Sequence, residues 1–401
     1  MVAKKMEALG RHRSVIRDIF TYAQARRAEI GEDEVFDFSL GNPSVGAPEV
    51  VTDTLLSLIR STDPADLHGY TAAGGDGGVR EAIAADIRTR YGCPVEADDL
   101  YLTVGAAAAL TISFHALLSG GEEVIAFAPY FPEYKVFVEA AGGSLVTVAC
   151  EAPRFIPSPD ALRAAITERT AAVILNSPNN PTGAVLSTAD AAALCRVLRE
   201  AEAKYGHPIY LIADEPYREL VYTEALPPYL PMLYDDTLVC YSFSKSLSLP
   251  GERIGYLLVS PTAGEREALR AAIAGAGRAL GYVCAPALFQ KMIPAVLGKT
   301  ADLSIYRQNR DRLFSALSEY GFTCVPPDGA FYLFVAAPDG DAIAFAERAK
   351  KYELLVVPSE SFGCEGYVRI AYCVTPEMIE RALPAFRALS KDYRLGEKNH
   401  E

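Results

Sequence analysis

The stretch Ile209-Tyr-Leu-Ile-Ala-Asp214-Glu-Pro-Tyr217, joined downstream by Leu238-Val-Cys-Tyr-Ser242-Phe-Ser-Lys245, decides how this chain is read. Each is a short apolar run that stops abruptly at polar side chains. A run of that length without alternation fits a strand buried on both faces, as in a parallel sheet flanked by helices. Working outward, further runs of this kind occur at 100–104, 123–128, 144–148, 171–176 and 254–260. Between them, 106–118, 132–141 and 188–205 repeat apolar residues at intervals of three and four, as amphipathic helices do. The alternation predicts an α/β fold with a large, mostly parallel seven-stranded sheet covered by helices, built from short right-handed crossovers.

Beyond this sheet, 265–280 and 304–320 read as helices, and the pattern then changes. Strands are predicted at 322–325, 331–335, 354–357 and 368–372, with helices at 342–352 and 376–389, which together make a smaller C-terminal α/β domain. The chain up to about residue 40 shows no sheet of its own and is expected to pack with the small domain. The predicted organisation is an N-terminal segment 1–45, a large domain 46–290 and a small domain 291–401.

Of the 401 residues, half are apolar, enough for a sizeable core, while the net charge of −13 opposes binding to nucleic acid or an anionic membrane surface. No segment has the uninterrupted apolar length of a membrane span. The charged start, with Lys4, Lys5, Glu7, Arg11 and Arg13, lacks the apolar core of a signal peptide, so a cytoplasmic protein is expected. The eight cysteines (Cys93, Cys150, Cys195, Cys240, Cys284, Cys324, Cys364 and Cys373) form no C-x-x-C pair and read as reduced thiols. The five histidines (His12, His68, His115, His207 and His400) form no H-x-x-x-H pair, and no metal is predicted.

Four segments fall just after strands of the large sheet, at the ends where such sheets bind ligands. In Ser242-Phe-Ser244-Lys245, with Arg253 beyond, two hydroxyls and a guanidinium can hold a phosphate while the lysine amine condenses with an aldehyde. Asp214, closing an apolar strand, needs a cationic partner if buried, although it serves equally as a helix N-cap before Pro216. Tyr217 is a hydrogen-bond donor close by. Asn176-Ser-Pro-Asn-Asn180-Pro-Thr-Gly183 is a rigid turn carrying an amide donor at Asn180. In Thr103-Val-Gly105-Ala106-Ala107-Ala108 a strand passes through glycine into a helix start, where backbone N–H groups suit a phosphate.

Taken in order, Asn180-Pro-Thr-Gly, Asp214-x-x-Tyr217 and Ser242-x-Ser-Lys245 with Arg253 resemble the signature of the class I/II, aspartate aminotransferase-like (fold-type I) pyridoxal-phosphate enzymes. The resemblance runs from Leu40-Gly41-Asn42-Pro43 to Gly366-Tyr-Val-Arg369-Ile. It implies that Lys245 is the Schiff-base lysine and proton shuttle, that Asp214 pairs with the ring nitrogen, and that Tyr217 and Asn180 hold the ring O3′. Ser242, Ser244, Arg253 and the backbone of Gly105, Ala106 and Ala107 would bind the phosphate, and Phe131 would stack on the ring. Tyr70 matches the tyrosine that reaches the phosphate from the other subunit, which implies a homodimer with shared active sites. Arg369 would hold the substrate α-carboxylate, which a planar guanidinium fork matches. Gly41 and Asn180 would also line the substrate pocket.

The implied reaction is transamination between an amino acid and a 2-oxo acid, with glutamate and 2-oxoglutarate as the expected shared pair. The bacterial aspartate aminotransferases that the chain resembles carry Lys and then Gln or Glu where Ala107 and Ala108 stand here, so aspartate, alanine and aromatic donors all remain open. Arg278 reads either as a distal-carboxylate group or as a helix-end surface charge. A carbon–sulfur β-lyase of the same fold is the nearer alternative. A non-enzymatic ligand sensor is the farther one, since no helix-turn-helix is read before residue 40 and the negative charge disfavours DNA.

Overall fold

The computed structural model describes residues 2–11, 14–224 and 226–395. Arg13, His12 and His400, named above, lie outside the described residues. A two-residue strand β1 (Phe36–Asp37) precedes seven strands, β2 (Leu100–Thr103), β3 (Glu123–Ala128), β4 (Ser144–Ala149), β5 (Thr170–Asn176), β6 (Tyr210–Asp214), β7 (Thr237–Ser242) and β8 (Gly255–Val259). These seven form one sheet in the spatial order β2-β8-β7-β6-β5-β3-β4. All neighbours from β4 to β7 run parallel, and β8 alone runs against both β7 and β2.

Burial explains why these runs lack alternation. Every residue of β3, β6, β7 and β8 is buried, because helices cover both faces, whereas the edge strand β4 is largely open to solvent. The helix Thr188–Tyr205 shows how sharply the sequence can set a boundary. The Ser187 hydroxyl accepts from Asp190 N–H while the Asp190 side chain accepts from the Ser187 backbone, and Gly206 ends the helix at φ +76°.

The small domain holds a three-stranded antiparallel sheet in the order β11-β12-β9, made of β9 (Tyr332–Ala336), β11 (Val357–Pro358) and β12 (Tyr367–Ala371). Helices Ser304–Glu319, Ala342–Ala349 and Pro376–Asp392 pack over it around Phe38, Tyr306, Leu313, Phe345 and Phe386. The strand expected at 322–325 is reduced to a single bridge, Cys324 to Val335, since Pro326 and Pro327 follow and can donate nothing to a ladder. The expected strand 354–357 splits at Val356 into β10 (Leu354–Leu355) and β11, which join different sheets. The helix expected over 342–352 stops at Ala349 and tightens into a 3-10 turn before Glu353, which has a left-handed φ of +57°.

The N-terminal segment contributes more than expected. Its β1 pairs in parallel with β10, Phe36 opposite Leu354. Ile19 and Ala23, from the helix Val15–Ile30, pack on Leu355, Val357 and Phe362. The boundary expected at 290–291 falls inside the helix Ala287–Val296, whose Met292, Ile293 and Val296 pack into the large-domain core. A division there would cut one continuous helix.

Candidate active site

The parallel register brings the C-terminal ends of three central strands level, with Asn176 opposite Asp214 and Asp214 opposite Cys240. Two residues past Cys240, Ser242 ends β7, and the chain turns into the short helix Phe243–Ser246, which presents Lys245. β7 stops at Ser242 because its hydroxyl accepts the Ser244 N–H and caps that turn. Here opens a cavity of about 290 Å³ lined by residues of both domains. Its wall includes Lys245, Asp214, Tyr217, Asn180, Ser242 and Ser244. Ala106, Ala107, Phe131, Arg253, Gly41 and Arg369 line it as well.

At its floor Asp214 is buried, 4% exposed, with Oδ2 accepting a short bond from the Tyr134 hydroxyl and Oδ1 left without a partner. Burial raises its pKa to about 7, and the charge of Glu215 acts the same way, against the opposing Tyr134 bond. A buried carboxylate with one orphaned oxygen facing a cavity is a site for a cationic donor. A protonated pyridine nitrogen is such a donor, so the residues present fit pyridoxal phosphate.

Lys245 Nζ donates to the Gly41 carbonyl at 2.6 Å. Burial pulls its pKa down to about 8, and the nearby charges of Arg253 and Arg369 act in the same direction. An amine in that range supplies the neutral form that condensation and proton transfer need. Gly41 is required by space alone, because a Cβ there would overlap the Tyr332 hydroxyl.

Groups suited to a phosphate are brought together by local turns. Ser242 and Ser244 hydroxyls lie 2.6 Å apart, and the helix Ala106–Leu117 begins beside them with free first-turn N–H groups. Gly105, at φ +85°, permits the approach of Arg253, whose Nη2 would stand 2.8 Å from a Cβ at that position. Arg253 itself holds a left-handed φ of +52°, a conformation unfavourable for a residue with a Cβ.

Opposite, Arg369 comes from β12 and is 2% exposed. Its Nη1 donates to Asn180 Oδ1 at 3.0 Å and its Nη2 to the Ser39 carbonyl, while Nε has no partner. The Tyr332 and Phe362 rings lie 4.6 and 5.1 Å from the guanidinium carbon. Among the described residues no carboxylate pairs with it, so a buried cation faces the cavity without an anion. Asn180 is held by its turn, its N–H bound to Asn176 Oδ1 at 2.8 Å and the Asn176 amide to the Asp214 carbonyl at 2.8 Å. The Tyr217 hydroxyl sits 2.8 Å from that of Tyr332.

Three expected residues, Gly105, Tyr70 and Arg278, do not line this cavity. Tyr70 is 98% exposed, and Arg278 lies exposed in the last turn of the helix Arg266–Ala279. The structure adds others. Tyr134 stands in the first turn of the helix Glu133–Ala140, and its ring meets that of Phe131, just ahead of the helix, edge-on at 5.6 Å. Asn176 stands in the quoted turn. Tyr332 and Ile16 also line the cavity and gave no signal, since only folding brings residues so remote in sequence to Lys245.

Tyr134→Phe is expected to move the acidic limb of the kcat/KM pH profile upward by about one unit. The bond favours the carboxylate, so its loss raises the Asp214 pKa and delays its ionisation to higher pH. A limb that stays in place would exclude this role for Tyr134.

The model of the family described as aminotransferase class I and II matches residues 33–386. The aspartate/prephenate aminotransferase of Thermus thermophilus is 31% identical over 358 residues, covering 86% of this chain and 88% of that protein. A crystal structure of an aminotransferase from Eubacterium rectale superposes with a TM-score of 0.96 at 50% identity, over 98% of this chain and 99% of the other. The Thermus thermophilus aspartate aminotransferase solved with maleate gives a TM-score of 0.85 at 28% identity, over 97% and 99%.

Proposed function

This chain belongs to the class I and II aminotransferases, which are pyridoxal-phosphate enzymes, and from that premise we propose that it transfers an amino group between an L-amino acid and a 2-oxo acid at the cavity around Lys245. The observation that carries the reading is the buried Arg369, which faces the cavity with no anion paired to it among the described residues. A planar fork in that position matches an α-carboxylate, the group shared by every amino acid and 2-oxo acid.

The cofactor, when bound, supplies an electron sink for the bond broken at the substrate α-carbon. The chain's own residues do the rest. Asp214 would hold the ring-nitrogen proton through Oδ1, and Tyr217 and Asn180 would supply donors to O3′. Ser242, Ser244, Arg253 and the first-turn N–H groups from Gly105 to Ala107 would take the phosphate, while Phe131 would cover one ring face. Lys245 Nζ would carry the cofactor at rest and, once freed, would move the proton away from the substrate α-carbon rather than back to it.

Glutamate and 2-oxoglutarate are proposed as one pair. The relatives named for aspartate and prephenate support an acidic donor, whereas Ile16, Leu110, Phe131 and Tyr332 give the donor side chain an apolar wall. Aspartate, alanine and aromatic donors are therefore the panel to test, with formation of each 2-oxo acid as the readout. The assignment as an aminotransferase fails if no amino acid yields its oxo acid. A homodimer is part of the same reading, supported by the full exposure of Tyr70, and light scattering that returns a single-chain mass would refute it. A cytoplasmic setting fits the eight cysteines, all of them free.

A further inference from the structure

We infer that Phe155 is a positioning residue for Arg369, acting as a strap between the large domain and the small antiparallel sheet. After β4 the chain leaves the edge of the large sheet, and Glu151 and Ile156 close a tight loop through one antiparallel bridge. The Phe155 N–H donates to the Glu151 carbonyl at 2.9 Å, and Phe155 adopts a left-handed φ of +52°. A bulky aromatic residue rarely takes that conformation, and it persists only where surrounding contacts impose it.

The contacts are on the small domain. Phe334 and Tyr367 stack face to face, their centroids 4.9 Å apart and their planes 6° from parallel. The Phe155 ring meets both nearly at right angles, at 5.3 and 5.2 Å, the edge-on geometry that aromatic quadrupoles favour.

Register connects this cluster to the cavity. Arg369 on β12 lies directly opposite Phe334 on β9, and Tyr367 is two residues before Arg369. Directly opposed residues, and residues two apart, share one face of a sheet. One face of the small sheet therefore carries the rings that Phe155 touches and, about 7 Å along the strand, the guanidinium. Beside the strap lies a cavity of about 220 Å³, lined by Arg154, Pro327 and Asp328 along with the three rings. Packing at this part of the junction is incomplete, and although the Gly329 N–H donates to the Gly183 carbonyl and the Tyr222 N–H to the Asp328 carbonyl nearby, the face that carries Phe334 and Tyr367 is met by the Phe155 ring.

This inference rests on Arg369 binding the α-carboxylate. The test compares Phe155→Ala, Phe155→Asn and Phe155→Tyr in the holoenzyme, using the amino acid and oxo acid that the donor panel selects. Asparagine tolerates the left-handed backbone but removes the ring, which separates the contact from the loop conformation. The expected result for the alanine and asparagine variants is a KM raised about tenfold for both substrates, with kcat changed less than about threefold, because Arg369 holds ground and transition states alike. Hydrogen exchange of the β12 amides should quicken in parallel, and Phe155→Tyr should behave as the unaltered protein. Arg369→Lys is the reference. If it raises KM while Phe155→Asn leaves KM and β12 exchange unaltered, the strap is overturned and the carboxylate reading stands. If Arg369→Lys itself leaves KM unaltered, the carboxylate reading falls and the strap with it.

Discussion

Lys245→Ala should lower turnover by more than about 10⁴-fold and abolish the visible absorbance of the lysine-bound cofactor. On the proposed function two losses combine in this variant, the covalent anchor and the amine that, among the described residues, alone lines the cavity, and proton transfer by a placed side chain alone contributes roughly 10²–10⁴-fold. The Lys245 amine is suited to both tasks by burial, which brings its pKa to about 8, and by the Gly41 carbonyl that fixes it at 2.6 Å. In the proposed reading phosphate anchoring does not pass through this lysine, since Ser242, Ser244, Arg253 and the helix start would provide it. The variant should therefore retain cofactor non-covalently, which equilibrium dialysis can measure. Turnover within tenfold of the unaltered protein would sink the assignment of Lys245.

Arg369→Lys ranks second, with an expected fall in kcat/KM of about 10²–10³-fold for every amino acid and oxo acid tested. Truncating one member of a buried charge pair costs roughly 2–5 kcal/mol, and an ammonium cannot reproduce the fork that reaches both carboxylate oxygens. The loss should be uniform across the panel, since the α-carboxylate is common to all substrates. A variant that loses one donor and keeps another would show that Arg369 reads the side chain instead. The neighbours make lysine a poor substitute, because Asn180 Oδ1 and the Ser39 carbonyl are spaced for two guanidinium nitrogens.

Much of the large domain is legible without coordinates because its determinants are local. Strands buried on both faces must be apolar throughout, and the Ser187 and Asp190 cap marks the helix that follows the Asn180 turn. The small domain is less legible for the opposite reason. Just after 322–325, Pro326 and Pro327 remove donors that would extend a strand, and at 354–357 one apolar run serves two sheets, a division that no local propensity records. The site follows the same rule. Lys245, Asp214, Asn180 and Arg253 stand in short motifs at strand ends, whereas Tyr134 acts through a carboxylate eighty residues away in the chain.

What the sequence by itself determined is the sheet, the helices over it and the polar residues that stop its strands, for each depends on neighbours within a few positions. Tertiary structure alone decided which atoms are left without partners. Asp214 Oδ1 and Arg369 Nε are orphaned because strands from two domains bury them facing one cavity, and an unpaired polar atom is a property of everything around it. Those two orphans, one acidic and one basic, face the cavity around Lys245 where the proposed reading puts a ring and a carboxylate.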